Sequence, residues 1–163
     1  MFLTGSAGTG KTLMLSEALK IKLSKLKSRG TDVKIFVTTY DGTETKLLDK
    51  YREHYLVNIK NINFIGDLNI KKYNTKPQST MNNVVRSLSD KYTDSSVILL
   101  CDEVRCDESA DWSNLKTCHN VIWLLAINPS RRTNDHMNIV YPTSDDVLSQ
   151  QLQVKYRNCH QIR

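Results

Sequence analysis

Several features that define common protein classes are absent from this sequence. It contains no run of about 18 apolar residues, so it predicts no membrane-spanning helix and no membrane partner. It has no internal repeat and no low-complexity segment. No signal segment with a basic start and an apolar centre is visible, so we expect an intracellular protein of the cytoplasm or nucleus.

Paired cysteines are also absent. The sequence has four cysteines and no Cys-x-x-Cys pair: Cys101, Cys106, Cys118 and Cys159. The Cys118-His119 and Cys159-His160 neighbours suggest zinc, but their spacing matches no zinc-site pattern. We therefore expect reduced core or surface thiols, and an apolar segment such as the one around Cys101 is a common place for a buried thiol.

The bulk composition is that of a soluble globular chain with an uneven charge. The 163 residues, 39% hydrophobic and 25% charged, suit one domain with a sizeable core. The net charge is +6, and residues 1–34 carry seven basic and two acidic residues. This excess fits an anionic partner such as nucleic acid, or simply a solvated helix face. No aromatic residues alternate with these lysines, so no base-stacking surface is evident.

The most informative stretch is residues 5–12, which read Gly5-Ser6-Ala7-Gly8-Thr9-Gly10-Lys11-Thr12. They fit the phosphate-binding P-loop pattern G-x-x-x-x-G-K-[ST], in which glycines let backbone N–H groups curl around phosphate oxygens. Lys11 is placed to reach the β- and γ-phosphates, and the Thr12 hydroxyl is placed to ligate Mg²⁺. A short apolar strand end precedes the loop and a helical stretch follows. The alternative is a glycine-rich turn without a ligand.

Hydrophobic periodicity predicts alternating strands and helices. The predicted helices cover residues 12–29, 43–55 and 80–92, and the predicted strands after the first are Val33–Thr38, 59–65, Val97–Cys101 and Val121–Ile127. This alternation predicts an α/β domain, a three-layer fold with a largely parallel central sheet flanked by helices.

The remaining segments are predicted from turn and capping signals. Lys71–Ser79 is polar and contains Pro77, which favours a surface loop. Residues 106–117 are expected to form a loop with a short helix, and residues 128–143 a long loop of the kind that is often functional. Asp145–Gln151 is predicted as a short helix with Ser144 as its N-cap, and Leu152–Tyr156 as extended chain.

A second candidate element completes a hydrolytic site. The apolar strand Val97–Cys101 ends at Asp102 and Glu103, and ligands bind at the carboxyl ends of strands in open α/β sheets. Asp102 is suited to hold Mg²⁺ through water, and Glu103 to orient or deprotonate the attacking water. The alternative is two solvated acids at a strand end. Near the end of the chain, Arg157 is a candidate for a γ-phosphate contact, or an ordinary surface arginine.

Together these motifs resemble the first RecA-like domain of superfamily 1 helicases. Gly5 to Thr12 looks like motif I of that family, and Asp102-Glu103 like motif II. The stretch from Thr38 to Leu47 looks like motif Ia, which contacts single-stranded nucleic acid in the family. A motif IV-like pattern is formed by residues near the end of the chain, Leu152, Tyr156, Arg157 and Ile162. Motif III departs from the family's Gly-Asp-x-x-Gln, because the corresponding stretch reads Ile127-Asn128-Pro129-Ser130-Arg131.

The resemblance implies a set of functional expectations. Residues 1–151 are expected to form the P-loop NTPase domain, and residues 152–163 to lead into a second RecA-like domain that this chain lacks, so we expect a fragment. ATP and Mg²⁺ are the implied cofactors, with Arg157 on the γ-phosphate and Asn128 as a polar sensor. Single-stranded nucleic acid is the implied partner. Because the motor needs two domains, the implied activity of this domain alone is ATP binding with slow hydrolysis at best.

Other functions remain open on the sequence alone. A signalling ATPase of the AAA+ or STAND type would use the same P-loop as a conformational switch. A non-catalytic module would retain nucleotide only for structure. A small-molecule kinase is disfavoured, because the adjacent Asp102-Glu103 pair favours water as the nucleophile.

Overall fold

The protein is built around a parallel β-sheet. The computed structural model describes residues 1–5, 8–39, 45–65, 77–104, 117–127 and 149–152. The six strands within these described residues are β1 (Phe2–Gly5), β2 (Val33–Thr39), β3 (Ile62–Ile65), β4 (Ser96–Val104), β5 (Val121–Ile127) and β6 (Ser149–Leu152). They lie in the order β3-β2-β4-β5-β1-β6, and every described pairing is parallel.

The described helices are α1 (Lys11–Ser28), α2 (Thr45–Lys50), a π-helix (Tyr51–Tyr55) that continues α2, and α3 (Pro77–Lys91). Helix α1 forms because Leu15, Leu19 and Leu23 recur on one side, where all three are buried. It ends in a Schellman-type cap: the N–H of Gly30 donates to the carbonyl of Lys27, and that of Thr31 to the carbonyl of Leu26.

Both faces of the sheet are covered by helices. On one face, leucines of α1 and residues of α2 and the π-helix pack against strand residues such as Ile98 and Leu100. On the other face, Val85 and Leu88 of α3 belong to the same cluster as Leu99. Successive side chains of β4 therefore enter opposite cores, which explains why its sequence is a continuous apolar run. The α/β prediction with a largely parallel sheet flanked by helices is confirmed.

Parallel pairing brings the carboxyl ends of the strands to one edge, called here the carboxyl edge. In the register, Gly5 at the end of β1 pairs with Leu152 of β6, and the preceding residue Thr4 pairs with Ile127 of β5. At the end of β2, Thr39 pairs with Asp102 of β4. The P-loop and the acidic pair predicted from the sequence thus belong to the same edge.

The structure corrects two of the predicted segments. The predicted loop Lys71–Ser79 is wrong at its end, because α3 begins at Pro77. Proline lacks an N–H, but the first turn of a helix does not need one, so Pro77 starts this helix rather than interrupting it.

The predicted helix Asp145–Gln151 is wrong over the part that the structure describes. Residues from Ser149 onward form strand β6 and pair with β1. Pairing along the edge of β1 satisfies backbone groups of both strands, and such a tertiary contact outweighs a weak local helix signal. Ser144, the predicted N-cap, lies outside the described residues, as do residues 106–116, 128–143 and 153–163. Strand β6 also includes residues on both sides of the domain boundary predicted after residue 151.

The other predicted elements are confirmed with small changes at their ends. The third strand is shorter than predicted and begins at Ile62. The helical segment predicted over 43–55 changes character at Tyr51, where an α-helical backbone becomes a π-helix. That change has consequences for the site at the carboxyl edge.

Candidate functional site

The loop between β1 and α1 has a left-handed backbone at two of its glycines. Gly8 and Gly10 have φ values of 82° and 85°, a left-handed conformation that side chains with a Cβ disfavour. Gly10 occupies the N-cap of α1 without a side-chain cap, and no acidic residue stands in the first turn. The positive end of the helix therefore keeps its affinity for anions. Ser6 and Ala7 lie outside the described residues.

Lys11 is buried beneath this loop. Its side-chain amine donates a hydrogen bond to the carbonyl of Gly5 at 2.7 Å, and the residue is only 6% exposed. Burial lowers the pKa of Lys11 below its ordinary value, while the charges of Glu103 and Asp102 act in the opposite direction. The lysine thus lies between the P-loop backbone and the acidic pair.

Asp102 is the centre of the site. Its carboxylate is buried, with the residue 1% exposed, and it accepts three hydrogen bonds. The Thr12 hydroxyl donates to Oδ2 at 2.7 Å, and the Tyr51 hydroxyl donates to the same oxygen at 2.8 Å. The backbone N–H of Glu103 donates to Oδ1 at 2.9 Å. A buried carboxylate needs such donors, because its charge has lost its water.

The contact between Thr12 and Asp102 crosses the sheet. Strand β5 lies between β1, which leads to Thr12, and β4, which contains Asp102, so these two strands are about 10 Å apart. Helix α1 packs over β4 and β5, and its first turn carries Thr12 back across the gap. Two motifs separated by 90 positions in the sequence are therefore in direct hydrogen-bond contact.

Glu103 stands at an irregularity of β4. The register changes from Cys101 opposite Leu125 to Val104 opposite Ile127, so β4 has one extra residue here, a β-bulge. Glu103 has a φ of 58°, which is uncommon for a residue with a side chain and costs on the order of 1–3 kcal/mol. The residue is half-buried and its Oε2 atom is buried. The bulge re-aims Glu103 relative to the regular alternation of the strand.

Tyr51 is a site residue that the sequence prediction missed. It lies within the helical segment predicted over residues 43–55, and it is fully buried, with no exposed surface. Burial, followed by the charge of Asp102 and the hydrogen bond to it, raises the pKa of Tyr51 well above 10. The hydroxyl therefore stays protonated and remains a donor. A buried tyrosine usually finds a polar partner, but the sequence alone does not say which one.

The threonines of the motif Ia-like stretch are buried in the sheet. Thr38 and Thr39 are 0% and 1% exposed, and Thr39 lies opposite Asp102. Their side chains therefore do not form an exposed surface. The residues from Tyr40 to Glu44 lie outside the described part of the chain.

The remaining predicted catalytic residues, Asn128 and Arg157, lie outside the described residues. Their predicted contacts with the γ-phosphate stay predictions. The described site thus consists of the glycines of the loop after β1, Lys11, Thr12, the acidic pair and Tyr51.

The oxygen donors at this site suit magnesium. In the described parts of the chain, no cluster of three or more His, Cys, Asp or Glu side chains could hold a metal ion by itself. Mg²⁺ rarely needs one, since it keeps several waters and commonly takes one or two carboxylates together with phosphate oxygens. The Thr12 hydroxyl and the Asp102 carboxylate are hard oxygen donors already in contact, so they fit this ion.

Comparisons with protein-family models, with curated proteins and with solved structures found no match to this chain. Among the helices that the structure describes, none combines the length and the apolar character needed to cross a lipid bilayer.

Proposed function

We propose that this chain binds ATP with Mg²⁺ at the carboxyl edge of the sheet and hydrolyses it slowly on its own. The observation that carries the proposal is the 2.7 Å hydrogen bond between the Thr12 hydroxyl and the buried Asp102 carboxylate. It joins the P-loop motif to the end of a central strand, where ligands of open α/β folds bind. A glycine-rich turn without a ligand would not require a buried aspartate at this position.

Phosphate binding follows from the loop backbone and from Lys11. The N–H groups of the loop and of the first turn of α1 offer donors to phosphate oxygens, and the helix end adds partial positive charge. Lys11 donates to the Gly5 carbonyl. We expect its amine to exchange this partner for β- and γ-phosphate oxygens when nucleotide binds, because an anion is the stronger acceptor.

Thr12 and Asp102 would hold Mg²⁺ beside the phosphates. When bound, the ion supplies positive charge that neutralises the phosphates during transfer of the γ-phosphoryl group. The contribution of the chain is to keep both oxygen donors in place before the ion arrives. The three hydrogen bonds to Asp102 do this, since they restrict the rotation of its carboxylate.

Glu103 is the proposed general base for hydrolysis. It would accept a proton from water as the water oxygen bonds to the γ-phosphorus and the bond to the β-phosphate oxygen breaks. Its location on a bulge next to Asp102 supports this role, because strained backbone of this kind concentrates at active sites. Its charge also acts on Lys11, which is consistent with a shared electrostatic site.

We further propose, from the sequence resemblance, that the domain is part of a superfamily 1-type motor with a RecA-like fold. Single-stranded nucleic acid is its proposed partner, supported by the exposed basic side chains of α1, Lys20, Lys22, Lys25 and Lys27. Binding to single-stranded oligonucleotides that weakens steeply with salt is the expected signature. Asn128 and Arg157 keep their proposed roles at the γ-phosphate, the latter together with a second RecA-like domain.

The test of nucleotide binding uses Lys11→Ala with a fluorescent ATP analogue and Mg²⁺. We expect the affinity to fall at least about tenfold, the equivalent of ~1.4 kcal/mol, since a buried cation facing the phosphates is lost. Lys20→Ala is the matched control, because Lys20 lies on the same helix but is exposed and paired with Glu17. Equal affinity in the parent and Lys11→Ala would overturn the site assignment.

A further inference from the structure

Two uncommon backbone features meet at one carboxylate. Glu103 adopts a left-handed conformation and donates its N–H to Oδ1 of Asp102. Tyr51 begins a π-helix and donates its hydroxyl to Oδ2. π-Helical turns are rare and are frequently found at functional sites. We infer that Tyr51 is a positioning residue that fixes the Asp102 carboxylate and thereby sets the Mg²⁺ affinity of the site. This inference rests on the proposed function.

The π-helix explains how Tyr51 reaches Asp102. The N–H of Leu56 donates to the carbonyl of Tyr51 at 2.8 Å, a hydrogen bond between residues five apart. In an α-helix, residues five apart point about 140° away from each other. The wider turn instead lets both Tyr51 and Leu56 enter the core, where they are 0% and 2% exposed. Tyr51 is thus anchored by apolar packing while its hydroxyl lies on the carboxylate.

The presence of a hydroxyl group on the buried side chain of Tyr51 needs an explanation. Tyr51 packs in an apolar cluster that includes Leu48, Leu56 and Leu100. Phenylalanine would fill the same space without a polar group to satisfy. Burying a hydroxyl in such a core costs free energy unless it is hydrogen-bonded, and the partner here is Asp102. The contribution specific to tyrosine is therefore its contact with the carboxylate.

The count of acceptor positions shows what the contact does. An ionised carboxylate has about four lone-pair positions, two on each oxygen. The hydroxyls of Thr12 and Tyr51 fill Oδ2, and the N–H of Glu103 takes one position on Oδ1. With these donors in place, the position left for a metal-bound water is on Oδ1. Without the Tyr51 hydroxyl, Oδ2 gains a free position and the carboxylate gains freedom to rotate.

The experiment separates metal binding from nucleotide binding. The affinity of a fluorescent ATP analogue is measured with EDTA and then over a Mg²⁺ titration, for the parent, Tyr51→Phe and Tyr55→Phe. Tyr55 is the matched control, since it lies in the same π-helix and its ring is 5.7 Å from that of Tyr51. We expect Tyr51→Phe to weaken Mg²⁺ binding by about 10–100-fold, as loss of outer-shell partners does. Its affinity for the analogue in EDTA, and both affinities of Tyr55→Phe, should match the parent.

The outcomes distinguish this inference from the function on which it rests. If the parent does not bind the analogue, the proposed function fails and the inference fails with it. If the parent binds and Tyr51→Phe has the same Mg²⁺ affinity, only the inference fails. An equal loss with and without Mg²⁺ would also overturn it, because that result indicates a general structural role.

A second measurement keeps the native packing, in case Tyr51→Phe does not fold. Incorporating 3-fluorotyrosine at position 51 retains the ring and the hydroxyl. We expect its ¹⁹F resonance to shift when Mg²⁺ is added to protein already saturated with ATP, because the hydroxyl is bonded to Asp102. A resonance that stays fixed while Mg²⁺ binds would overturn the inference.

Discussion

Two aspartates at opposite ends of the strands, Asp32 and Asp102, have similar partners but differ in their exposure to water. Asp32, just before β2, accepts a hydrogen bond from the Ser95 hydroxyl at 2.7 Å and pairs with Lys34 at 3.0 Å. Asp102, at the other end, accepts from two hydroxyls and lies near Lys11. Asp32 is exposed, whereas Asp102 is 1% exposed. The partners alone therefore do not distinguish an aspartate at the surface from the one proposed to hold a metal ion.

The difference in burial determines how strongly each aspartate depends on its partners. At the exposed end, water competes for every contact, so the pair of Asp32 with Lys34 contributes little to stability. The hydrogen bond from Ser95, reinforced by Lys34, still lowers the pKa of Asp32. At the carboxyl edge, the buried carboxylate of Asp102 depends on its protein partners, and a lost partner costs about 1–3 kcal/mol.

The largest expected effect is on the rate of ATP hydrolysis, which should depend on Glu103 and not on an exposed acid. Glu103→Gln should lower the rate of ATP hydrolysis by about 10²–10⁴-fold, since the proposed general base is lost while the side chain keeps its size. Nucleotide affinity should stay close to that of the parent. The measurement is phosphate release under single-turnover conditions. Glu17→Gln is the control, because Glu17 is exposed on α1. Equal rates in Glu103→Gln and the parent would remove Glu103 from the mechanism.

A smaller effect is expected on stability, and it can be compared between the glycines at the two ends of α1. Gly10 and Gly30 both have left-handed backbones, with φ of 85° and 70°. Replacing either by alanine should lower the free energy of unfolding by about 1–2 kcal/mol, the cost of this conformation for an L-residue. Gly30 has open space around its Cβ position, so no clash adds to this cost.

Only one of these two replacements should affect the ligand. Gly10→Ala should weaken binding of the ATP analogue about tenfold, because the added side chain would shift the loop N–H groups proposed to contact phosphate. A loss of ~1.4 kcal/mol in binding free energy corresponds to this tenfold change. Gly30→Ala should leave that affinity unchanged. Chemical denaturation and fluorescence titration of both variants provide the comparison. If the two variants lose affinity equally, the loop has no special relation to the nucleotide.

The sequence predicts those parts of the fold that local patterns determine. Strand β5 has the predicted bounds, Val121–Ile127, because its apolar run fits only a buried strand. Helix α1 differs from its prediction by one residue at each end, because its leucine spacing and Gly30 are both local signals. The position of Asp102 at the end of a buried strand follows from the same kind of pattern.

The rest depends on contacts between distant segments. Strand β6 forms by pairing with β1, and its four residues carry no local sequence signal for this pairing. The same holds for Tyr51: its burial follows from helical periodicity, whereas its bond to Asp102 requires both the π-helix and the strand order. The bulge at Glu103 is likewise a property of β4 against β5. These three features arise from tertiary structure, which overrides local preference.

The most direct test compares the two aspartates themselves. Asp102→Asn and Asp32→Asn each remove one charge and keep the shape of the side chain. Because Asp102 faces the proposed Mg²⁺ position, Asp102→Asn should weaken Mg²⁺-dependent binding of the ATP analogue by about 10–100-fold, and Asp32→Asn should not change it. The measurement is the Mg²⁺ titration at fixed nucleotide, with circular dichroism to check folding. Equal Mg²⁺ dependence in both folded variants and the parent would contradict the account.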